Sequence, residues 1–266
     1  MRMVLAALGL FLAVASPAAA IDGGMPDGLR HPNVGALAYD ADSVGPIPPV
    51  AFCTGSVISD HAFLTARHCI EPPLVPLPPV FEWVITLDPG PIQPGGFVPA
   101  DFPACCRVSV PVARATGVVL HPGYTPGFVP GQDPTLGEHD VAVVLFPRGT
   151  FAGVKPVRIA RGIHGRHVKL VGYGAELRDG ALYAGGVRKK ARAPIADLSG
   201  NWLRIVNRND GRPGGGAACA GDSGSPQFLA GVQVSLLHDA PGCSGIAYAQ
   251  RLDTPAEQRF LAPYLR

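Results

Sequence analysis

The pattern of hydrophobic and polar positions along the chain is typical of β-strands. Short apolar runs rich in β-branched residues are separated by glycine and proline. The clearest runs are AFLTA (62–66), DVAVVLF (140–146), VKLVGYG (168–174) and LAGVQVSLL (229–237). No long helical period occurs before the C-terminal end of the chain. The pattern therefore predicts many short strands and an all-β fold.

The last residues, TPAEQRFLAPYLR (254–266), carry the signals of one helix. Thr254 is suited to the N-cap, Pro255 to the first helical position, and Glu257 stands three residues after the cap, as in a capping box. An apolar stripe accompanies them, formed by Phe260, Leu261, Tyr264 and Leu265. The sequence thus predicts a strand-rich chain that ends in a helix.

Residues 1–20 have the pattern of a secretory signal peptide. An apolar run ends in small residues before Ala20, which suits signal-peptidase cleavage. A retained membrane anchor is the alternative, but the run is short for a bilayer span. Cleavage after Ala20 would leave a chain of 246 residues that begins at Ile21. We therefore expect a secreted protein, extracellular or periplasmic, with no membrane association once the signal is removed.

Charge and cysteine content narrow the classes of ligand. The formal net charge is +2 and the basic residues are scattered, which argues against nucleic-acid binding. Six cysteines in an exported chain favour disulfides, and no spaced set of four Cys and His residues indicates a metal site. We expect no metal, no cofactor and no nucleic acid.

The segment 71–103 is unusually rich in proline and contains ten of these residues. Because proline cannot donate to a sheet ladder, we expect an irregular surface loop. A ligand for proline-binding modules is the alternative interpretation.

Three segments carry residues suited to nucleophilic catalysis: FCTGSVISDHAFLTARHC (52–69), HDVAVVLF (139–146) and CAGDSGSP (219–226). They offer His68, Asp140 and Ser223 in turn. A serine hydroxyl is a weak nucleophile and needs a neutral imidazole to take its proton, while a carboxylate orients that imidazole and stabilises its charged form. Each residue alone is weak evidence, because a lone histidine or aspartate is more often structural.

The sequence around each of these residues resembles the chymotrypsin-like (trypsin family) serine proteases. TARHC resembles the family's TAxHC, EHDVAVV resembles the apolar strand that its aspartate opens, and GDSGSP resembles its GDSGGP. The order His, Asp, Ser along the chain also agrees. LHPGY (120–124) and VGYG (171–174) resemble further segments of the family.

The resemblance implies a fold of two packed antiparallel six-stranded β-barrels with a C-terminal α-helix. Residues 21–155 would form the N-terminal barrel, which carries His68 and Asp140. Residues 156–266 would form the C-terminal barrel, which carries Ser223, together with the helix. Catalysis would take place in the cleft between the barrels.

The resemblance also assigns roles outside the triad. The backbone N–H groups of Gly221 and Ser223 would form the oxyanion hole. Ser235 would support the aspartate and back the bound substrate, unless it is an ordinary strand serine.

Disulfides are implied between two pairs of cysteines, Cys53 with Cys69 around the histidine segment and Cys219 with Cys243 beside the substrate pocket. The adjacent Cys105 and Cys106 are left over. They could form a vicinal disulfide, stay reduced or pair between chains.

The segment IDGG, which follows the predicted cleavage site, resembles the family's mature start, IVGG. The resemblance implies that the free α-ammonium of Ile21 enters the interior and pairs with Asp222. A buried carboxylate is costly without a partner, so this pair would select the loop conformation that aims the Gly221 N–H at the oxyanion site. No propeptide is evident, so removal of the signal is expected to liberate the activating amine.

Four residues are expected to shape the substrate pocket: Ala217, Ser235, Leu236 and Leu237. Ala217 stands where the trypsin subgroup has an aspartate, so the pocket base is predicted to be uncharged. Leu236 and Leu237 follow Ser235, where relatives usually have an aromatic residue and then glycine. A leucine at the second place would narrow the pocket mouth, and cleavage after small or medium apolar residues is expected.

Three positions depart from the family pattern. Arg67 stands beside His68, where it would either disfavour protonation of the imidazole or extend into solvent. Ser225 replaces the second glycine after the nucleophile and would narrow that turn. Asp22 replaces an apolar residue and is expected to be solvated.

The sequence therefore predicts a secreted, monomeric serine endopeptidase that acts through an acyl-enzyme on protein or peptide substrates and is open to protein inhibitors. The main alternative is a binding protein on the same fold that has lost catalysis. An α/β-hydrolase is disfavoured because its triad runs Ser, Asp, His. A non-catalytic β domain with coincidental motifs is the remaining alternative.

Overall fold

The computed structural model describes residues 21–40, 50–70, 82–90, 106–107, 113–125, 137–178, 181–183 and 185–266. The predicted signal peptide, most of the proline-rich segment and the side chains of Cys105 and Cys106 lie outside the described residues. The described part of the proline-rich segment, 82–90, includes the strand Glu82–Thr86, whose Val84 and Ile85 are fully buried, so the expected irregular surface loop is wrong there.

The regular elements of the described chain are nearly all strands, as the short apolar runs predict. The strands are β1 (Met25–Pro26), β2 (Val34–Asp40), β3 (Val50–Val57), β4 (Ala62–Thr65), β5 (Glu82–Thr86), β6 (Cys106–Arg107), β7 (Ala113–Arg114), β8 (Gly117–Leu120), β9 (Ala142–Leu145), β10 (His167–Gly172), β11 (Glu176–Arg178), β12 (Ala181–Tyr183), β13 (Lys189–Ser199), β14 (Trp202–Val206), β15 (Pro226–Leu229), β16 (Val232–Asp239) and β17 (Ile246–Arg251).

Six strands of the C-terminal half close into an antiparallel barrel, hereafter the C-terminal barrel. Their order is β13-β10-β15-β16-β17-β14, and β13 pairs again with β14, while β1 adds to β13. In β10, His167 and Lys169 are exposed whereas Val168 and Leu170 are buried. This alternation of period two places the apolar side chains inside the barrel.

The N-terminal strands form a second antiparallel sheet, the N-terminal sheet, in the order β7-β5-β2-β3-β4-β9-β8, with β6 paired to β3. Its end strands, β7 and β8, are consecutive in the chain. Between them, Ala115 N–H donates to Trp83 O at 2.8 Å and Thr116 N–H donates to Leu145 O at 2.7 Å. The segment that contains β7 and β8 therefore links the two ends of the sheet. The two sheets together confirm the predicted all-β class.

The predicted C-terminal helix is present as α1 (Pro255–Leu261). Thr254 caps it by accepting a hydrogen bond from the Glu257 N–H. Leu261 is fully buried in the apolar cluster of the N-terminal sheet, whereas Leu265 is largely exposed. The helix therefore fastens the end of the chain to its N-terminal half. Within the described residues, no helix has the length and apolar character that a membrane span requires.

A fully buried arginine, Arg188, connects the two halves of the molecule. Its Nη1 donates to Val34 O in β2 at 2.8 Å and to the Tyr173 hydroxyl at 3.1 Å. Its Nη2 donates to Gly28 O at 2.7 Å, and its Nε donates to Asp27 Oδ2 at 3.2 Å. These contacts offset the cost of burying the guanidinium, which is high for an unpaired charge.

Replacing Arg188 with methionine should lower the free energy of unfolding by about 3–5 kcal/mol, because Asp27 and several carbonyl groups would lose a buried donor. Urea denaturation at neutral pH measures the change. The control is Arg204→Met, which breaks the exposed ion pair between Arg204 and Asp197 and should cost less than about 1 kcal/mol. Small and equal effects of the two substitutions would contradict the prediction.

Candidate active site

Two hydrogen bonds join Asp140 and His68. The His68 backbone N–H donates to Asp140 Oδ1 at 2.8 Å, and His68 Nδ1 lies 2.6 Å from Oδ2. Burial alone would raise the pKa of Asp140, but His68 and a second histidine, His238, hold this pKa well below its usual range. Because an ionised carboxylate can only accept, Nδ1 of His68 carries the proton when the ring is neutral. Its Nε2 atom then presents a lone pair that can take a proton from another group.

The local structure fixes the position of His68. It lies in a 3-10 helix, Arg67–Cys69, which begins two residues after β4 ends. A disulfide joins Cys53 in β3 to Cys69, as predicted. β9, which begins two residues after Asp140, pairs with β4 and so brings the aspartate beside the histidine.

Ser223 lies on a turn that packs against the segment leading to His68. The Ser223 carbonyl accepts a hydrogen bond from the Thr54 N–H at 2.8 Å. The next residue, Gly224, has a φ of 78°, and a Cβ there would collide with Thr54 O and Thr65 Oγ1 and lie 2.8 Å from Ala66 N. Ser223 itself is half-buried. Glycine is required after the serine because the turn and the histidine segment approach so closely.

The predicted oxyanion donors lie on the same turn. Gly221 has a φ of 89°, and its carbonyl accepts from Thr54 Oγ1 at 3.1 Å. Within the described part of the chain, neither the Gly221 N–H nor the Ser223 N–H donates to a protein acceptor.

Asp222 is fully buried behind this turn. Its carboxyl group accepts from the Gly174 N–H at 2.8 Å and from the Cys219 N–H at 3.0 Å. Burial raises its pKa to about 7, although the two N–H donors and Lys189 oppose that effect. The carboxylate form would therefore gain from a cation brought close to it.

The Ile21 segment lies next to the loop that contains Asp222. The Ile21 side chain is fully buried in the C-terminal barrel, in the same apolar cluster as Ala218. Asp22 and Ala217 exchange two backbone hydrogen bonds, of 2.8 and 2.9 Å. Asp22 is also largely buried and accepts from the Leu177 N–H at 3.3 Å, so the expected solvation of this side chain is wrong.

The residue that supports Asp140 is His238, not Ser235. His238 Nδ1 lies 2.6 Å from Asp140 Oδ2. Ser235 instead donates to Gln227 Oε1 at 2.8 Å, inside the C-terminal barrel. The resemblance thus located the right strand but assigned the contact three residues too early.

Both leucines predicted at the pocket are buried. Leu236 lies in the apolar cluster of the N-terminal sheet, and Leu237 lies in the C-terminal barrel. The residues that follow His238 are Asp239 and Ala240. Ala217, the predicted pocket base, is also fully buried. The second predicted disulfide, between Cys219 and Cys243, is present.

The unusual Arg67 does not extend into solvent. Its Nη1 donates to His121 O at 2.7 Å, and its guanidinium lies over the Tyr124 ring, 4.7 Å from the centroid. Arg67 therefore braces the LHPGY segment. Ser225, the other unusual residue, is buried, and its N–H donates to Asp222 O at 2.8 Å within the nucleophile turn.

A second histidine–carboxylate cluster contains His139, the residue before Asp140. The sequence did not predict this cluster. His139 Nδ1 lies 2.5 Å from Glu257 Oε1, and the His121 ring stacks on His139 with centroids 4.7 Å apart. Burial raises the pKa of Glu257. Burial, His139 and Arg67 lower the pKa of His121 to about 4. The sequence identified Glu257 only as part of the helix cap, because its contact with His139 depends on tertiary packing.

Three groups of described side chains are close enough to share a metal ion: Cys53, His68 and Cys69; His68, Asp140 and His238; and His121, His139 and Glu257. In the first group the two sulfurs form a disulfide. In the second, both imidazoles are hydrogen-bonded to Asp140. In the third, His121 Nδ1 accepts from the Gly123 N–H at 3.1 Å. We assign a metal to none of them.

Comparison with known proteins gives one sequence relative and a shared fold. No protein-family model matches the chain. Over 202 residues the chain is 29% identical to the cercarial protease of Schistosoma mansoni, covering 70% of this chain and 68% of that protein. The solved structure of a mutant of human heparin binding protein matches with a TM-score of 0.56 and 16% identity, over 92% of this chain and 95% of that one.

Proposed function

We propose that this chain, which belongs with the chymotrypsin-like serine proteases in its motifs and fold, is an endopeptidase that hydrolyses protein or peptide substrates through Ser223, His68 and Asp140. The observation that carries the proposal is the paired hydrogen bonding of His68 to the buried Asp140, beside the turn that presents Ser223. This arrangement supplies an oriented base and a nucleophile from three distant parts of the chain.

In the proposed reaction, Ser223 Oγ attacks the scissile carbonyl carbon while His68 Nε2 takes the hydroxyl proton. The Gly221 and Ser223 N–H groups stabilise the oxyanion of the tetrahedral intermediate. His68 then returns the proton to the leaving amine, and the C–N bond breaks to leave an acyl-enzyme. A water molecule, deprotonated by His68, attacks the ester and releases the acid product. Asp140 stays ionised and stabilises the imidazolium at both stages.

Labelling with a serine-directed peptidyl phosphonate tests the proposal. The chain that begins at Ile21 should take up about one equivalent, because the activated Ser223 attacks phosphorus. Ser223→Ala should take up none by intact mass. Ser225→Ala is the control, since that serine is buried and its Oγ accepts from Gln227 Nε2 at 3.5 Å, and this variant should still be labelled. Failure to label a folded parent, or equal labelling of the parent and Ser223→Ala, would refute the proposal.

We also propose that the base of the substrate pocket, at Ala217, is uncharged. The motivating observation is that Ala217 stands six residues before Ser223, where the trypsin subgroup has an aspartate. In a peptide-library profile, small or medium apolar residues before the cleaved bond should give values of kcat/KM at least about tenfold above those of Arg or Lys. A profile dominated by Arg or Lys would overturn this assignment.

Export is part of the proposal. Removal of residues 1–20 would expose the Ile21 amine, which would then pair with Asp222. The buried Ile21 side chain and the hydrogen bonding of Asp22 to Ala217 support this placement.

A second candidate is a non-catalytic binding protein on the same fold. The observation that favours it is that one of the solved structures with this fold is named for heparin binding. Stoichiometric phosphonate labelling of Ser223 would exclude this candidate, because labelling requires an assembled nucleophile.

A further inference from the structure

One oxygen of Asp140 accepts hydrogen bonds from two imidazole rings. His68 Nδ1 and His238 Nδ1 each lie 2.6 Å from Asp140 Oδ2. The two rings are nearly perpendicular, at 84°, with centroids 5.8 Å apart. A carboxylate oxygen has two lone pairs, so it can accept both N–H groups at once.

The His238 ring is buried and packs against an aromatic side chain. His238 lies near the end of β16 and is fully buried. Its ring packs on Trp202, with centroids 4.8 Å apart. Since the Asp140 carboxylate can only accept, the short contact identifies Nδ1–H of His238 as the donor in a charge-assisted hydrogen bond.

We propose that His238 is a positioning residue that holds the Asp140 carboxylate in the orientation that His68 needs. The imidazole N–H of His238 performs the role that the sequence assigned to the hydroxyl of Ser235. The inference rests on the proposed function. A buried carboxylate with a missing donor is free to rotate and is poorly solvated. His238 removes that freedom on the side of Oδ2, while the His68 backbone N–H holds Oδ1.

The shared oxygen also affects how strongly Asp140 can stabilise a charged His68 ring. A second donor draws electron density from Oδ2 and so weakens its attraction for the His68 imidazolium. Three other titratable groups on the neighbouring elements have described contacts of their own. Arg67 donates to His121 O, His139 pairs with Glu257, and Asp239 Oδ1 accepts from the Ala240 N–H. Removal of the His238 donor should therefore make the imidazolium easier to form.

Two substitutions separate donation from packing. His238→Leu fills the volume without a donor, whereas His238→Asn keeps an N–H close to the position of Nδ1 but cannot take up a proton. His238→Leu should lower kcat by about 10–100-fold with KM nearly unchanged, because the carboxylate loses its orientation. It should also move the acid limb of kcat/KM to higher pH by about half a unit to one unit. His238→Asn should recover most of kcat and the parental acid limb.

The control is His31→Leu. His31 Nδ1 lies 2.7 Å from Asp27 Oδ1, so this histidine–aspartate contact matches in chemistry but does not touch Asp140. It should alter stability and leave the pH profile in place. A parental kcat and pH profile in His238→Leu would overturn the proposal, and so would equal damage by the leucine and asparagine substitutions.

A readout that needs no activity distinguishes this inference from the proposed function. Proton NMR of the parent should show two downfield imidazole N–H signals that depend on Asp140, and His238→Leu should remove one of them. If the parent is not labelled by phosphonate but shows both signals, the protease assignment fails and the His238 contact stands. If only the His68 signal is present, the positioning role is refuted.

Discussion

Replacing Asp140 with asparagine should lower kcat by about 10⁴-fold while the chain still folds, since the same change in a Ser-His-Asp triad produces the wrong histidine tautomer. The structure gives a specific reason. Oδ1 accepts the His68 backbone N–H, and Oδ2 accepts two imidazole N–H groups. An amide offers one acceptor atom only. In either orientation of the asparagine side chain, its NH₂ group faces at least one of these N–H donors.

The substitution should therefore disturb the tautomer of His68 and leave substrate binding nearly unchanged. Steady-state kinetics should show a fall in kcat with KM changed little. Asp60→Asn is the matched control, because Asp60 Oδ1 lies 2.6 Å from His61 Nδ1 in a similar but exposed pair. That variant should keep the parental rate. A fall of less than about tenfold in Asp140→Asn would contradict a catalytic role for this carboxylate.

Retaining Ala20 ahead of Ile21 should lower kcat/KM by about 10²–10³-fold relative to the chain that begins at Ile21. With Ala20 in place the residue 21 nitrogen is a neutral amide, and the buried Asp222 lacks the cation. Breaking a buried pair costs about 3–5 kcal/mol, and each 1.4 kcal/mol is about tenfold in a population or a rate. The loop that carries Gly221 and Ser223 would then lose its preferred conformation.

The two chains should also differ in how stability depends on pH. In the chain that retains Ala20, burial raises the pKa of Asp222 from 3.8 to about 7. The folded state then binds a proton that the unfolded state has lost, so stability falls as pH rises from about 4 to 7. The fall should approach about 4 kcal/mol, at roughly 1.4 kcal/mol per pKa unit. With the free amine, the Asp222 carboxylate is stabilised and this fall should disappear.

Urea denaturation of both chains at pH 4.5, 6 and 8 measures the difference, since the other titrating groups are common to the two. Asp222→Asn in each chain is the control and should remove the difference in slope. Identical pH dependence and identical kcat/KM in the two chains would show that the Ile21 amine has no role.

Features confined to a few consecutive residues were predictable. The Thr254 cap follows from local hydrogen bonding, and the strands follow from short apolar runs rich in β-branched residues. The two disulfides follow from the resemblance of the motifs. In contrast, the buried Arg188 could not be predicted, because its acceptors come from both halves of the chain and no pattern of neighbouring residues marks them.

The placement of β16 was decided by packing. Leu236 packs into the cluster of the N-terminal sheet and Leu237 into the C-terminal barrel, so these successive side chains face opposite sides. The pairing of β16 with β17 shifts in register between Leu237 and Asp239, and His238, which contacts Asp140, lies at this irregularity. Such an irregularity depends on the partner strand and is not marked by a local apolar pattern.

The sequence by itself determined the strand-rich class and the helix with its cap, and it marked His68, Asp140 and Ser223 as the candidate residues, because each of these depends on short-range chemistry carried by adjacent residues. Only the tertiary structure decided that His238 meets Asp140, that Glu257 braces His139, and that Arg188 joins the two halves. These contacts join residues far apart in the chain, and their partners are selected by strand register and burial, which no local pattern encodes.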